Sequence, residues 1–239
     1  MPIPVEQLGK DWWADGDTPV QRDSRVTFFV DGHMTMLSLC RHFLKAQHYI
    51  YLANWGIKAE IELVRGSDHR AGPDGSPEQE KLLAELRADG LQEADITFWC
   101  TQTLSLKNVL GYAASKGVEV KVLIWDNPNV FTRTFPKEAQ KQLTPVGVNC
   151  LLDDSALVLQ HPAESLHQKI SIVDGAYAFV GGVDPLIEAE ERCLSVETWP
   201  PWECFLRSEK DSSASMDNMS INLFRGWKHT SIFWMNSGD

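Results

Sequence analysis

The run Leu166-His167-Gln168-Lys169-Ile170-Ser171-Ile172-Val173-Asp174-Gly175-Ala176-Tyr177-Ala178-Phe179-Val180-Gly181-Gly182-Val183-Asp184 predicts two short strands back to back. Ile170 to Val173 is apolar and β-branched around one serine, and Asp174-Gly175 is a two-residue sequence that closes a hairpin. The chain is expected to reverse there and return through Ala176 to Val180 as an antiparallel partner. Side chains two apart share a face of a strand, so His167 and Lys169 project together while Gln168 and Ile170 point the other way. An imidazole and an ammonium are thereby offered to the same ligand. Gly181-Gly182 returns near the level of His167, where backbone without side chains lets amides approach an anion closely.

Upstream of this hairpin, strands alternate with helices. Val26 to Val30 reads as a strand stopped by Asp31-Gly32, and Met36, Leu39, Cys40, Phe43 and Leu44 then form one apolar stripe of a helix. Tyr49 to Ala53 reads as a buried strand. The Gly- and Pro-rich stretch from 66 to 77 is a loop that ends in a capping box, Ser76-Pro77-Glu78-Gln79, with Leu82, Leu83 and Leu86 following on a helix. Ile96 to Cys100 is expected to be a strand. Leu104 to Lys116 reads as a helix with Gly117 at its C-terminal stop, and Val118 to Trp125 is the strongest strand pattern in the chain. A helix over Lys137 to Leu143 and a strand over Val148 to Leu152 complete the series. Strands separated by helices imply crossover connections, so the expected fold class is α/β, with a mixed, largely parallel sheet flanked by helices.

The alternation sets the domain plan. Residues 1–25 are polar and turn-rich and read as an N-terminal arm, residues 26–185 as the α/β domain, and residues 186–239 as an irregular tail in which no helix or strand period persists. Four of the nine tryptophans, at 199, 202, 227 and 234, lie in that tail. The 239 residues carry 33 acidic and 22 basic side chains, a formal charge of -11, which argues against general affinity for nucleic acid through the global field. No apolar run approaches the roughly 20 residues needed to span a bilayer, and Met1-Pro2-Ile3-Pro4-Val5-Glu6 does not read as a signal peptide. The expected location is cytoplasmic or peripheral at a membrane surface. Five cysteines, at 40, 100, 150, 193 and 204, are scattered without a Cys-x-x-Cys pair, so they read as reduced thiols with no structural zinc.

The combination His-x-Lys, four residues, Asp, six residues, Gly-Gly resembles the motif of the phospholipase D superfamily. From composition alone, the complete string arises by chance in roughly one such sequence in ten thousand. The resemblance extends upstream to Asp31-Gly32 leading into a helix, to a strand ending in Asn54-Trp55, and to Lys116-Gly117-Val118-Glu119-Val120-Lys121-Val122-Leu123-Ile124-Trp125-Asp126; it covers approximately residues 26 to 185. It implies half of an α/β/α sandwich that cleaves phosphodiesters through a covalent phosphohistidine. His167, Lys169 and Asp174 are then the catalytic set, with His167 as nucleophile and Lys169 neutralising charge on the non-bridging oxygens. Asp174 belongs to the motif, yet its place at a turn makes it a structural brace rather than a direct partner of His167. Gly181 and Gly182 bind substrate, and Glu197 is the candidate carboxylate for the second imidazole nitrogen. The mechanism needs no metal and no cofactor.

Members with two motif copies supply a second histidine as the acid for the leaving alcohol. This chain has one copy of His-x-Lys-x4-Asp. Either two chains meet about a twofold axis, or the chain is the front half of a longer enzyme. The expected substrate is a phospholipid headgroup ester, since the net charge disfavours a polynucleotide; the rivals are a dimeric single-motif nuclease and an inactive half-site serving as a phosphate-binding or interaction module. His161 reads as a loop residue, and Asp126 as a turn residue before Asn127-Pro128. Trp55 and Trp125 end strands at the carboxyl edge of the sheet, where open α/β sheets place ligands, and core packing accounts for them equally well. His33, His42, His48 and His69 have no ligand spacing.

Overall fold

The computed structural model describes residues 24–29, 32–126, 135–154, 166–182, 185 and 231–236. Seven strands form one sheet in the order β1-β7-β6-β5-β2-β3-β4. In chain order these are β1 (Ser24–Phe29), β2 (Tyr49–Asn54), β3 (Glu119–Trp125), β4 (Asn149–Asp153), β5 (Lys169–Val173), β6 (Tyr177–Gly181) and β7 (Ser231–Asn236). The helices are α1 (Gly32–Lys45), α2 (Pro77–Ala88), α3 (Glu93–Thr101), α4 (Leu106–Ser115) and α5 (Pro136–Leu143). The α/β class and the mixed sheet follow the sequence reading. The parallel share is smaller than the upstream alternation implies: β2, β3 and β4 run parallel, whereas the hairpin β5–β6 and the pair β7–β1 join antiparallel.

The stripe Met36, Leu39, Cys40, Phe43 and Leu44 is buried, as its spacing predicts, and Phe43 and Leu44 have no exposed surface. It faces Leu52 of β2 and Phe179 of β6 around a small internal cavity, so α1 covers one side of the sheet and also packs on α4. Burial alternates along β2 and β3, with Ile50, Leu52, Val120, Val122 and Ile124 turned into this core. The predicted caps are present. Ser76 accepts from the Gln79 amide at 3.2 Å with Pro77 at the first helical position, and Gly117, at φ +91, ends α4.

Two expectations are overturned. Ile96 to Cys100, which reads as a strand, lies within α3. The amide of Gln92 donates to the Asp95 carboxylate at 3.0 Å, and Thr97 and Thr101 each return a hydroxyl to the carbonyl four residues back at 2.8 Å. With Ile96 and Trp99 buried three residues apart, the cap and the packed face outweigh the β-branched composition. The second correction concerns residues 231–236, expected within an irregular tail. They form β7, hydrogen-bonded between β1 and β6.

Strand directions determine what the sheet can present. Asn54, Trp125, Asp153, Gly181 and Phe29 end their strands at one edge, and Lys169 begins its strand there. That edge is the carboxyl edge of the parallel strands, and α1 starts beside it.

Candidate active site

Asn54 is the register partner of Lys169, so β2 fixes the height at which β5 begins. One residue further, the amide of Trp55 donates to the carbonyl of Gln168 at 3.0 Å, extending the ladder to the residue between His167 and Lys169. The Trp55 ring lies over this junction. Its centroid is 6.0 Å from that of His167, in an edge-on arrangement at 73°, and the Lys169 Nζ sits 5.8 Å from the same ring. Trp55 in turn stacks on Trp125 at 5.8 Å and 27°. The imidazole of His167 is exposed, while Lys169 is half-buried with its Nζ withdrawn from solvent. The two motif side chains therefore meet on one indole at the carboxyl edge.

Gly181 arrives at the same edge, since Val180 pairs with Ile170 and Gly181 follows. A cavity of about 20 Å³, sufficient for roughly one water molecule, lies below, bordered by Thr35, Asn54, Lys169, Ser171 and Gly181. Gly182 follows as a half-buried bend. Imidazole, ammonium and glycine backbone on one rim can accommodate a tetrahedral anion, the charge being met by Lys169 and the close approach permitted by the glycines.

Asp174 is not brought to this rim. It occupies the far end of β5, roughly 16 Å from Lys169 at the usual strand rise. There its carboxylate accepts from three successive amides, of Gln47, His48 and Tyr49, at 2.9, 2.8 and 2.9 Å. At φ +53 it is also the non-glycine residue in left-handed conformation among the described residues, with Gly175 following at φ +68. Asp174 thus stands at the turn, where its carboxylate ties the hairpin to the connection between α1 and β2. Glu197 and His161 lie outside the described residues.

Three of the four scattered histidines make side-chain contacts in the fold, and His48 gives its backbone amide to Asp174. His33 pairs with Asp68 at 2.8 Å, and His69 contacts the Trp99 carbonyl at 2.9 Å. His42 lies against the rings of Tyr177 and Phe179, with its Nδ1 2.7 Å from the Ser38 carbonyl. Burial lowers its pKa to about 4. Asp126, nearly buried at the end of β3, has its carboxylate 3.7 Å from Lys137 Nζ and its amide bound to the Asp153 carbonyl at 2.8 Å. The described residues contain no group of three or more metal-ligating side chains.

No family model matches the chain. Among known proteins, it is 29% identical over 167 residues to phospholipase D alpha 1 of Oryza sativa subsp. japonica, a match covering 58% of this chain and 17% of that protein. It is 25% identical over 170 residues to phospholipase D B of Dictyostelium discoideum, covering 69% of this chain and 11% of the relative. With the probable cardiolipin synthase YwiE of Bacillus subtilis (strain 168) it shares 23% identity over 182 residues, 70% of this chain and 34% of that protein.

These relatives place the chain's likeness with the phospholipase D superfamily.

Among solved structures, the chain is similar to Nuc from Salmonella typhimurium, a phospholipase D family member, with a TM-score of 0.42 and 14% identity over 89% of this chain and 82% of that one. The chain spans about a sixth of the length of the rice phospholipase D that it matches.

Two residues of the rim carry more than the sequence assigns them. Asn54, 3% exposed, faces the same side as Lys169 and lines the cavity; the signal for it is strand parity, because it is the last inward position of β2. Trp55 lies at the edge rather than in the core, half-buried, with its ring centroid 6.0 Å from that of His167 and 5.8 Å from Lys169 Nζ.

Proposed function

We propose that this phospholipase D-like chain provides one half of a phosphodiesterase site, in which His167 is the nucleophile and Lys169 the electrostatic partner. A ring nitrogen of His167 attacks phosphorus, the phosphorus–nitrogen bond forms as the phosphorus–oxygen bond to the leaving alcohol breaks, and a phosphohistidine results. The alcohol takes its proton from a second histidine supplied by another motif copy, and water then displaces the imidazole to release the phosphate monoester. Lys169 stabilises the charge on the non-bridging oxygens as it grows, and the backbone at Gly181 and Gly182 makes room for them.

The observation that carries this reading is the meeting of an exposed imidazole and a sheltered ammonium on the indole of Trp55 at the carboxyl edge. The matches to phospholipases D and to a probable cardiolipin synthase support phosphodiester chemistry in general. Within that class, the formal charge of -11 favours a phospholipid headgroup ester over a polynucleotide, which rewards a basic groove. Among the described residues, no helix is long and apolar enough to cross a membrane.

His167→Ala tests the assignment. With bis(p-nitrophenyl) phosphate as substrate, turnover is expected to vanish while the thermal midpoint stays within about 2 °C, because an exposed side chain outside the ladder contributes little to stability. Persistent turnover in the variant removes His167 from the mechanism. Phosphatidylcholine vesicles and plasmid DNA, each assayed in excess EDTA, then separate the substrate classes. Cleavage of the DNA alone would identify a nuclease.

A further inference from the structure

We propose that Trp55 is the positioning residue of this site, setting the orientation of the His167 imidazole and the Lys169 ammonium relative to each other. The inference rests on the phosphodiesterase reading above and names the residue that makes it geometrically possible. His167 precedes β5 and lies outside the strand ladder, so no paired backbone fixes its ring. Lys169 carries a long, rotamer-rich side chain that is costly to order. What both side chains have in common is the indole of Trp55.

The indole is itself held from two directions. Its amide is bonded to the Gln168 carbonyl at 3.0 Å, so the backbone of residue 55 is tied to the residue between the two motif side chains. Its ring is stacked on Trp125, the last residue of β3, at 5.8 Å. Neighbouring parallel strands thus anchor the ring from below while its remaining surface meets the two reacting groups. The ammonium sits over the ring, where the electron-rich face attracts a cation, and the imidazole is arranged edge-on at 73°. Such a scaffold orders the pair before substrate arrives. Its effect belongs in the chemical step, because misplacing reacting groups costs more in the transition state than in ground-state binding.

The test uses the full chain with Trp55→Leu, which keeps apolar bulk without a ring, and Trp55→Phe, which keeps a ring. The readouts are kcat and KM for bis(p-nitrophenyl) phosphate, the thermal midpoint, and the Cε1 proton resonance of His167, assigned by its loss in His167→Ala. Trp55→Leu is expected to lower kcat about tenfold or more with KM changed less than about threefold, and Trp55→Phe to recover most of the loss. The His167 resonance, lying against the ring, should move in Trp55→Leu and return toward its original position in Trp55→Phe. Unchanged kcat and an unmoved resonance in Trp55→Leu overturn the proposal, as does a rate loss that merely tracks the unfolded fraction. Should the unsubstituted chain show no turnover on any diester, the phosphodiesterase reading fails, and the resonance alone decides whether Trp55 orients the imidazole.

Discussion

Three backbone amides, from Gln47, His48 and Tyr49, converge on the Asp174 carboxylate at the turn of the hairpin. Charge-assisted bonds of this kind are among the stronger ones in a folded chain, and a neutral amide in the same place turns an NH2 group toward donors. Asp174→Asn tolerates the left-handed backbone, so it isolates the carboxylate. It is expected to cost about 2 kcal/mol in urea unfolding, with kcat per folded molecule unchanged. Full stability with lost turnover would return Asp174 to the reacting groups. His42 offers a pH test. Burial lowers its folded pKa to about 4 from an ordinary 6.5, so between those values the unfolded chain binds a proton that the folded chain does not. Stability from this group is therefore complete above pH 6.5 and falls as the pH drops toward 4, by about 2 kcal/mol between pH 7 and 5. His42→Phe should flatten that slope in urea titrations at the two pH values; equal slopes would show that another group governs acid sensitivity. At this scale the sequence is legible where chemistry is written in spacing. The spacing of His167 and Lys169 suggests a shared ligand and Asp174 sits on a turn dipeptide, whereas the approach of Trp55 to both depends on the pairing of β2 with β5, residues far apart in the chain.

Elements are legible where local and long-range preferences agree. The stripe of α1, the Ser76 cap of α2, the alternation in β3 and the hairpin at Asp174-Gly175 each satisfy both. Residues 96–100 do not, because Ile96, Thr97, Phe98 and Trp99 favour a strand by composition while the Asp95 cap and the buried helical face win. β7 was hidden for a different reason. A six-residue strand takes its place from two partners, β1 and β6, that lie distant in sequence, and no local pattern announces such pairing. The hairpin turn invites a test at this level. Gly175 has φ +68, and a Cβ there would come within 2.7 Å of the Tyr49 hydroxyl, whose ring is stacked on Tyr51 at 4.6 Å. Gly175→Ala should therefore cost about 1–2 kcal/mol, from left-handed strain together with the collision. In a Tyr49→Phe background the collision is relieved, and the same substitution should cost measurably less by thermal unfolding. An identical cost in both backgrounds would show that the strain is entirely in the backbone.

Across the whole molecule, the sheet gathers one imidazole, one ammonium and a glycine pair at a single edge, and the chemistry proposed for them is unfinished without a proton donor. The sequence holds one copy of the motif, and three of the histidines described elsewhere in the fold make side-chain contacts: His33 with Asp68, His42 with Ser38 and two aromatic rings, His69 with the Trp99 carbonyl. A leaving alkoxide expelled without a proton is a poor leaving group, so the proposed mechanism takes its acid from a second motif copy, in a second molecule or in another polypeptide. The face of the sheet opposite α1 exposes Val26, Phe28, Leu151 and Val180, showing that the described elements cover one side more fully than the other. The predicted consequence concerns mass and activity together. Light scattering across a gel-filtration peak, with each fraction assayed on bis(p-nitrophenyl) phosphate, should find turnover in species of two copies and none in the monomer. If the site is shared in this way, refolding equal amounts of the unsubstituted chain and His167→Ala leaves about one quarter of the activity, since only pairs with two histidines are complete. An active monomer, or activity that falls in proportion to the unsubstituted fraction, would mean that one chain carries both the nucleophile and the acid.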